Sequence, residues 1–180
     1  MKKLFLILSL ITTVALSTNA QEFGIKSSAT QWATLTTNVE VNFPLSKRVT
    51  MHLPVSYNPW KLKQNSRMQQ LTFMPGIRLW RQQNHVHYFY SAFAIASRYH
   101  IGGWLNHKYR YDGTGYGAGI GFGYSHVINK HWNIEGELGV GVIYADYDKC
   151  DWREDSRFYG NKTGVRVIPA KVDISFVYFY

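Results

Sequence analysis

Residues 115–124 read Gly-Tyr-Gly-Ala-Gly-Ile-Gly-Phe-Gly-Tyr, so that glycine alternates with a larger residue over the whole stretch. A period of two is typical of a β-strand with two different faces. No helical pattern follows the glycines, which argues against a phosphate-binding loop. A row of missing side chains on one face instead makes room for large groups that reach across a narrow barrel.

The same alternation continues on both sides of this stretch. It predicts eight strands, at residues 23–28, 34–43, 49–58, 71–79, 85–100, 115–124, 132–144 and 171–180. The fifth strand is apolar on both faces, so its pattern alone does not show its phase, that is, which face points into the barrel. We assign the face that carries Arg98 to the interior. This choice places Tyr88, Tyr90, Ala92, Ala94 and Ala96 inward with Arg98, and Phe89, Phe93, Ile95 and Tyr99 outward.

Short and long connections alternate along the chain. The segments 44–48, 81–84 and 129–131 are short, whereas 61–67, 101–113 and 148–164 are longer and charged. This is the pattern of periplasmic turns and extracellular loops, and it predicts an all-β, eight-stranded antiparallel up-and-down transmembrane β-barrel of the smallest size class. Pro54, Pro75 and Pro169 each remove a ladder donor, so we expect a bulge or a strand end at each.

The first twenty residues have the features of a cleavable signal peptide. Lys2 and Lys3 precede an apolar run from Leu4 to Leu16, which is shorter than the roughly 20 residues of a membrane-spanning helix. Cleavage near Ala20 would leave one domain, residues 21–180, with 18 basic and 11 acidic residues. The resulting charge of +7 suits anionic lipid headgroups, and nucleic acid is not an expected partner of an exported chain.

Ionisable residues occupy the strand face opposite the continuous apolar face. We predict that they form a polar network in the barrel lumen, made of Glu40, Arg78, Glu135, Glu137, Lys171 and Asp173. A charge that faces lipid at mid-membrane costs about 2 to 4 kcal/mol, which explains such segregation. A soluble lipocalin-like carrier would have the opposite arrangement, with an apolar cavity.

Aromatic residues are frequent, at 16% of the sequence. We predict that a set of them lies at the membrane interfaces: Trp60, Trp80, Trp132, Tyr144 and Tyr178. The chain ends with apolar residues at every second position, and Phe176, Tyr178 and Tyr180 resemble the C-terminal signal that the barrel-assembly machinery recognises. One predicted loop combines aromatic and cationic residues that could bind a headgroup or glycan: Trp104, His107, Lys108 and Arg110.

The sequence offers no convincing catalytic or metal constellation. Ser125 and His126 are neighbours on a strand and therefore point to opposite faces. His85 and His87 share a face, but two ligands without a third make a weak metal site. Cys150 is the only cysteine, so it is a free thiol, an intermolecular partner or a residue without a role. No cofactor is expected.

Three stretches resemble the Bacteroidetes family called domain of unknown function 3575. They are Tyr-Asn-Pro-Trp at 57–60, the segment from Tyr-Gly-Ala-Gly-Ile-Gly at 116–121 to Trp-Asn-Ile-Glu at 132–135, and Tyr-Ala-Asp-Tyr-Asp-Lys at 144–149. The resemblance covers nearly all of the mature chain. It implies a small outer-membrane barrel, sometimes encoded near cell-surface and fimbrial genes, with no established catalytic residues. Family members often carry a cysteine pair after 144–149, whereas this chain has Cys150 alone.

Three functions are compatible with these observations. We expect a non-enzymatic outer-membrane barrel with a structural or surface-interaction role, whose partners are outer-membrane lipid, the barrel-assembly machinery and an envelope or fimbrial protein. A membrane-embedded enzyme that modifies lipid A or phospholipid is the first alternative. A soluble lipocalin-like carrier is the second.

Overall fold

The computed structural model describes residues 23–60, 67–102, 109–151 and 158–180. The predicted signal peptide at 1–20 lies outside these residues. The strands are β1 (Gly24–Ser28), β2 (Thr37–Ser46), β3 (Val49–Asn58), β4 (Arg67–Phe73), β5 (Gly76–Trp80), β6 (His87–Gly102), β7 (Tyr109–Val127), β8 (Trp132–Asp151) and β9 (Phe158–Phe179). One short helix, α1 (Ala29–Ala33), follows β1.

The strands close into an eight-stranded antiparallel barrel, as predicted. β4 and β5 both pair with β3 on one side and β6 on the other, so together they occupy one position in the wall. Every other strand pairs with its neighbours in sequence, and β1 closes the barrel by pairing with β9 from Gly24↔Phe179 to Ser28↔Ser175. The start of β1 and the end of β9 therefore lie at the same end of the barrel as the short turns, which we call the inner end.

Two of the three prolines interrupt regular pairing as predicted. Pro75 lies in the break between β4 and β5, and a bulge next to Pro169 shifts the register between β8 and β9. The prediction for Pro54 was wrong, because β3 continues through it. Pro54 lies beside the β4–β5 break and its carbonyl accepts a hydrogen bond from the Met74 amide at 3.2 Å.

Three strands are longer than the sequence pattern predicts. β7, β8 and β9 contain 19, 20 and 22 residues, and much of the predicted loops at 101–113 and 148–164 is strand. In these extensions, at what we call the outer end of the barrel, the outward positions carry Asp112, Thr114, Asp146 and Asp148, so the outward apolar face ends although the backbone ladder continues to Tyr109↔Asp151. The wall of β6 to β9 consequently rises well above the wall of β1 to β3.

The predicted phase of the fifth strand was wrong. Phe89, Phe93 and Ile95 point into the barrel, whereas Tyr88, Tyr90, Ala92 and Ala94 point outward, and Arg98 is exposed on the outer face of the strand. The glycines of β7 explain why the phenylalanines point inward: a Cβ at Gly119 would lie 2.5 Å from the Phe93 ring, and one at Gly123 would overlap the Phe89 ring. Tyr99, also predicted outward, lines an interior cavity.

Substituting Gly123 with alanine is expected to destabilise the barrel by about 1 to 3 kcal/mol, because the new methyl would overlap both the Phe89 ring and the Gly136 carbonyl. Gly115→Ala is the matched control, since its nearest atom would be Ile143 Cδ1 at an ordinary 3.7 Å. Urea unfolding midpoints measure both variants. Equal midpoints would contradict the assignment of Phe89 to the interior.

Helix α1 caps the wall above β1. Ser28 begins the helix by accepting a hydrogen bond from the Gln31 amide at 3.3 Å, and Gln31 accepts one from Ser56 at 2.7 Å. The Asn38 side chain contacts both the amide and the carbonyl of Ser28, at 2.6 and 3.1 Å. In the part of the chain described, no helix is long and apolar enough to cross a membrane.

Candidate functional site in the barrel interior

A cluster of seven ionisable side chains fills the middle of the barrel. It contains three cations and four carboxylates: Lys26, Arg78, Lys171, Glu40, Glu135, Glu137 and Asp173. These residues come from β1, β2, β5, β8 and β9, and each stands at an inward position of its strand. The structure thus brings together all six residues of the predicted lumen network. We call this set the charge cluster.

Arg78 is the centre of the charge cluster and is fully buried. Its Nη2 lies 2.7 Å from Glu40 Oε1 and 3.0 Å from Glu137 Oε2, while Nη1 donates to Asn42 Oδ1 at 2.8 Å. The guanidinium also lies over the Phe89 ring, 5.0 Å from its centroid. A planar guanidinium suits this position because it can bond several acceptors at once.

Lys26 was not among the predicted network residues. Its Nζ lies 2.9 Å from Asp173 Oδ2, 3.4 Å from Glu135 Oε2 and 3.9 Å from Glu40 Oε1. The signal in the sequence is weak, because β1 has five residues and its phase cannot be set from so short a strand. The pairing Lys26↔Glu40 between β1 and β2 places the two side chains on one face.

Lys171 completes the charge cluster from the other side of the lumen. Its Nζ lies 3.0 Å from Glu137 Oε1, 3.3 Å from His52 Nε2 and 4.7 Å from the Phe93 centroid. An ammonium has donors and no acceptor, so His52 Nε2 accepts here and the imidazole is neutral. Glu137 also accepts from Ser91 Oγ at 2.7 Å. With Lys171, the charge cluster contains three cations and four carboxylates.

An aromatic layer closes the inner end of the barrel below the charge cluster. Trp80 contacts His85 and Phe89, with centroid separations of 5.2 and 4.6 Å, and His85 contacts Phe179 at 4.4 Å. Ser125 and Asn133 hold the His85 carbonyl at 3.0 and 2.7 Å. The predicted placement of Trp80 at a membrane interface was wrong, because its indole is buried and donates to Thr50 Oγ1 at 3.0 Å.

Two neighbouring cavities occupy the lumen above the charge cluster. The first, of about 80 Å³, lies between Lys26, Glu40, Lys171 and Asp173 and reaches Gln31 and Asn38. The second, of about 250 Å³, lies against Ile95, Tyr99, Ile143 and Ile168. Both are lined by Thr72, Met74 and Ala170. We call the second cavity the outer vestibule.

The other predicted sites lie at the barrel surface or outside the described residues. Trp60, Trp132, Tyr144 and Tyr178 are exposed on the outer wall. Phe176 and Tyr178 are exposed at the end of β9, and Tyr180 follows that strand. Of the predicted binding loop, Trp104, His107 and Lys108 lie outside the described residues, and Arg110 is paired with Cys150 in the β7–β8 ladder.

The histidines considered as candidate sites form neither a metal site nor a nucleophile–base pair in the described part of the chain. Ser125 is buried and His126 is exposed, so the two side chains diverge. His85 is buried whereas His87 is exposed. At the outer rim, His100 Nδ1 lies 3.0 Å from Asp112 Oδ1. Within the described ranges, no group of three His, Cys, Asp or Glu residues is arranged to hold a metal ion.

A comparison with known proteins identifies one family. The family model described as "Protein of unknown function (DUF3575)" matches residues 4–180. No curated protein and no solved structure matches the chain.

Proposed function

The chain belongs to the DUF3575 family of proteins of unknown function, and from this premise we propose that it is an outer-membrane β-barrel of the cell envelope. It acts without catalysis, either by stabilising the outer membrane or by binding another envelope or fimbrial component through its outer loops. The barrel-assembly machinery inserts it by recognising the strand that ends in Phe176, Tyr178 and Tyr180.

The observation that carries this proposal is the inverted polarity of the barrel. The interior holds the charge cluster, whereas the outward side chains between the two rims are apolar and exposed. They include Ile25, Val39, Val55, Leu71, Phe73, Ile77, Leu79, Ile120, Phe122, Leu138, Val140, Val142, Val172 and Ile174. An exposed apolar surface of this extent is far larger than soluble proteins tolerate, and hydrocarbon is the solvent that suits it.

Aromatic side chains border this apolar surface at both ends. Tyr57, Tyr116 and Tyr144 lie at the outer border, and Tyr88, Tyr124, Trp132 and Tyr178 lie at the inner border. With about 3.3 Å per residue and a tilt of about 40°, the spans Tyr116–Tyr124 and Trp132–Tyr144 correspond to heights of roughly 20 and 30 Å. These values bracket the apolar band of about 25 Å that outer-membrane barrels have.

Polar and charged residues follow immediately beyond both borders. On β8, Asp146 and Asp148 follow Tyr144 on the outward face, and on β7, Thr114 and Asp112 precede Tyr116 on the same face. At the opposite end, the short turns carry Lys47, Arg48, Arg81 and Lys130. The lipocalin-like alternative is disfavoured because a carrier of that type has an apolar interior, whereas this barrel buries charged side chains in its centre.

Protease shaving of intact cells tests the proposed orientation. We expect added protease to cut within 148–164 while the rest of the barrel wall survives, because this connection joins the ends of β8 and β9 that lie opposite the short turns, the start of β1 and the end of β9. Cell lysis before digestion is the control for the periplasmic turns at 47–48 and 129–131. Cleavage at those turns on intact cells, with 148–164 protected, would contradict the orientation.

A lipid-modifying enzyme is the second candidate, and the pair of His100 and Asp112 favours it. A carboxylate at Nδ1 orients an imidazole for proton transfer through Nε2, and this pair lies at the level of the lipid headgroups. The leading proposal predicts that cells carrying His100→Ala keep an unchanged lipid A and phospholipid mass profile. A loss of one lipid species in that variant, restored by the wild-type chain, would favour the enzyme.

A further inference from the structure

The wall of the barrel is incomplete on one side of β9. β1 pairs with β9 from residue 175 to 179, and no strand among the described residues pairs with that side of residues 158–174. Helix α1 packs against the lower part of this side, where Thr30 Oγ1 donates to Asp173 Oδ1 at 3.4 Å, and the β2 residues Asn38 and Val39 lie across from it. We call the space that remains between β9, α1 and β2 the slot.

The slot lies at membrane depth if the barrel spans the outer membrane as proposed. Val165, Val167 and Val172 of β9 are 68%, 76% and 64% exposed, and Val165 pairs with Tyr144 of the outer aromatic border. Unpaired backbone groups of a strand are not tolerated in contact with hydrocarbon. Pro169 lacks an N–H, and the remaining backbone groups of this edge require water or a polar ligand.

The slot leads to apolar side chains in the outer vestibule. The first cavity touches Val39 and Val172, which point outward, and also the inward Thr72, Met74 and Ala170 of the outer vestibule. The outer vestibule continues to Ile143 and Ile168, which form its apolar part, and polar side chains of Gln70, Ser97 and Tyr99 line the rest. Its volume of about 250 Å³ is smaller than the roughly 300–1,000 Å³ of pockets for drug-sized ligands, so it fits one short alkyl chain rather than a whole lipid.

A cation stands above the apolar part of the outer vestibule. Arg166 pairs with Ile143 in the β8–β9 ladder and stands two residues from Ile168 on β9. Its Nη2 donates to the Tyr147 hydroxyl at 3.1 Å, and the guanidinium lies 6.0 Å from that ring centroid. The guanidinium is exposed at the rim, where it can also bond a phosphate.

We propose that the outer vestibule binds an anionic amphiphile, with its phosphate at Arg166 and one alkyl chain between Ile143 and Ile168. The polar headgroup of such a molecule can bond the unpaired backbone groups of β9, and its alkyl chain can contact the apolar part of the vestibule wall. Water satisfies only the first of these surfaces and hydrocarbon only the second. The slot lets a membrane lipid place one chain in the lumen. This inference rests on the proposed membrane location.

Methyl NMR tests the inference with octyl phosphate as the probe. The perdeuterated barrel, with protonated isoleucine methyls, is dissolved in a deuterated zwitterionic detergent, and nuclear Overhauser contacts to the probe chain are recorded. We expect contacts at the inward Ile143 and Ile168. The outward Ile120 and Ile174 should contact the chain of protonated detergent in a second sample, which tests the proposed function separately.

Matched variants locate the bound chain. Gly115→Leu fills the outer vestibule, since a Cβ there has ordinary contacts, and it should abolish the inward contacts; Gly136→Leu on the outer wall should retain them. Ala170→Leu is a second filling variant in case the first fails to fold. Arg166→Gln should raise the half-saturating probe concentration about tenfold, whereas Arg48→Gln in a periplasmic turn should not.

Three results would overturn the inference. Inward methyls that contact only water, while Ile120 and Ile174 contact detergent, would reject the ligand site and leave the proposed function intact. Outward methyls without detergent contacts would reject the proposed function and the ligand site with it. Equal half-saturation by octyl phosphate in wild type and Arg166→Gln would also overturn the assignment of the phosphate to Arg166.

Discussion

Replacing Arg78 with methionine is expected to destabilise the barrel by about 3 to 5 kcal/mol. The variant keeps a long side chain against Phe89 but removes the closest cation of Glu40 and one of the two cations that lie 3.0 Å from Glu137. Removing one partner of a buried ion pair costs far more than the pair itself contributes, because an uncompensated charge stays in a poorly solvated interior. Glu40 loses its closest cation here and Glu137 loses one of the two cations that lie 3.0 Å away, so we expect a large effect.

Urea unfolding of the barrel in lipid vesicles measures the effect. Arg81→Met is the matched control, because Arg81 is exposed in the turn after β5 and its loss should change the free energy of unfolding by no more than about 0.5 kcal/mol. Adding Glu40→Gln to Arg78→Met should recover part of the stability by removing the carboxylate that has lost its closest cation. An Arg78→Met variant as stable as Arg81→Met would contradict the proposed pairing in the charge cluster.

Replacing Ile120 with arginine is expected to destabilise the folded barrel in a bilayer by about 2 to 4 kcal/mol. Ile120 is 67% exposed and stands midway between Tyr116 and Tyr124 on β7. On a soluble barrel an exposed isoleucine could become arginine at little cost, because the guanidinium would remain in water. The penalty arises only if the outer wall contacts hydrocarbon at this height.

Thr114→Arg is the control for depth. Thr114 lies on the same strand and face, two residues beyond Tyr116, where the cost of arginine should fall to about 0 to 1 kcal/mol. Both variants are compared with wild type by unfolding in vesicles. Equal and small effects at the two positions would indicate that the wall at Ile120 is in contact with water.

The arrangement of the lumen charges could be predicted because charges cannot occupy the lipid-facing side of a strand. Glu40 and Arg78 lie on strands whose other face is continuously apolar, so their strand phase is unambiguous. Lys26 was missed because β1 contains few residues from which to set a phase. The pairing of specific atoms also depends on strand register, which single-strand patterns do not contain.

The phase of β6 could not be read from β6 itself. Its inward face carries Phe89, Phe93 and Ile95, and its outward face carries tyrosines and alanines, so both are apolar. The deciding feature is on β7, where glycines leave space for the two phenylalanine rings. Arg98 misled the prediction because it stands near the outer end of the strand, where an outward charge is above the apolar surface. Trp80 was misassigned for a related reason, since an indole at a strand end suits either the aromatic border or the aromatic layer inside.

Fractionation of the cell envelope tests the central claim that the apolar outer wall contacts lipid acyl chains. Cells are separated into periplasmic, inner-membrane and outer-membrane fractions, and the outer membrane is washed with alkaline carbonate before detergent is added. We predict that the chain remains with the outer membrane through the carbonate wash and is released only by detergent. Recovery of the mature chain from the periplasm as a stable monomer without detergent would contradict the claim.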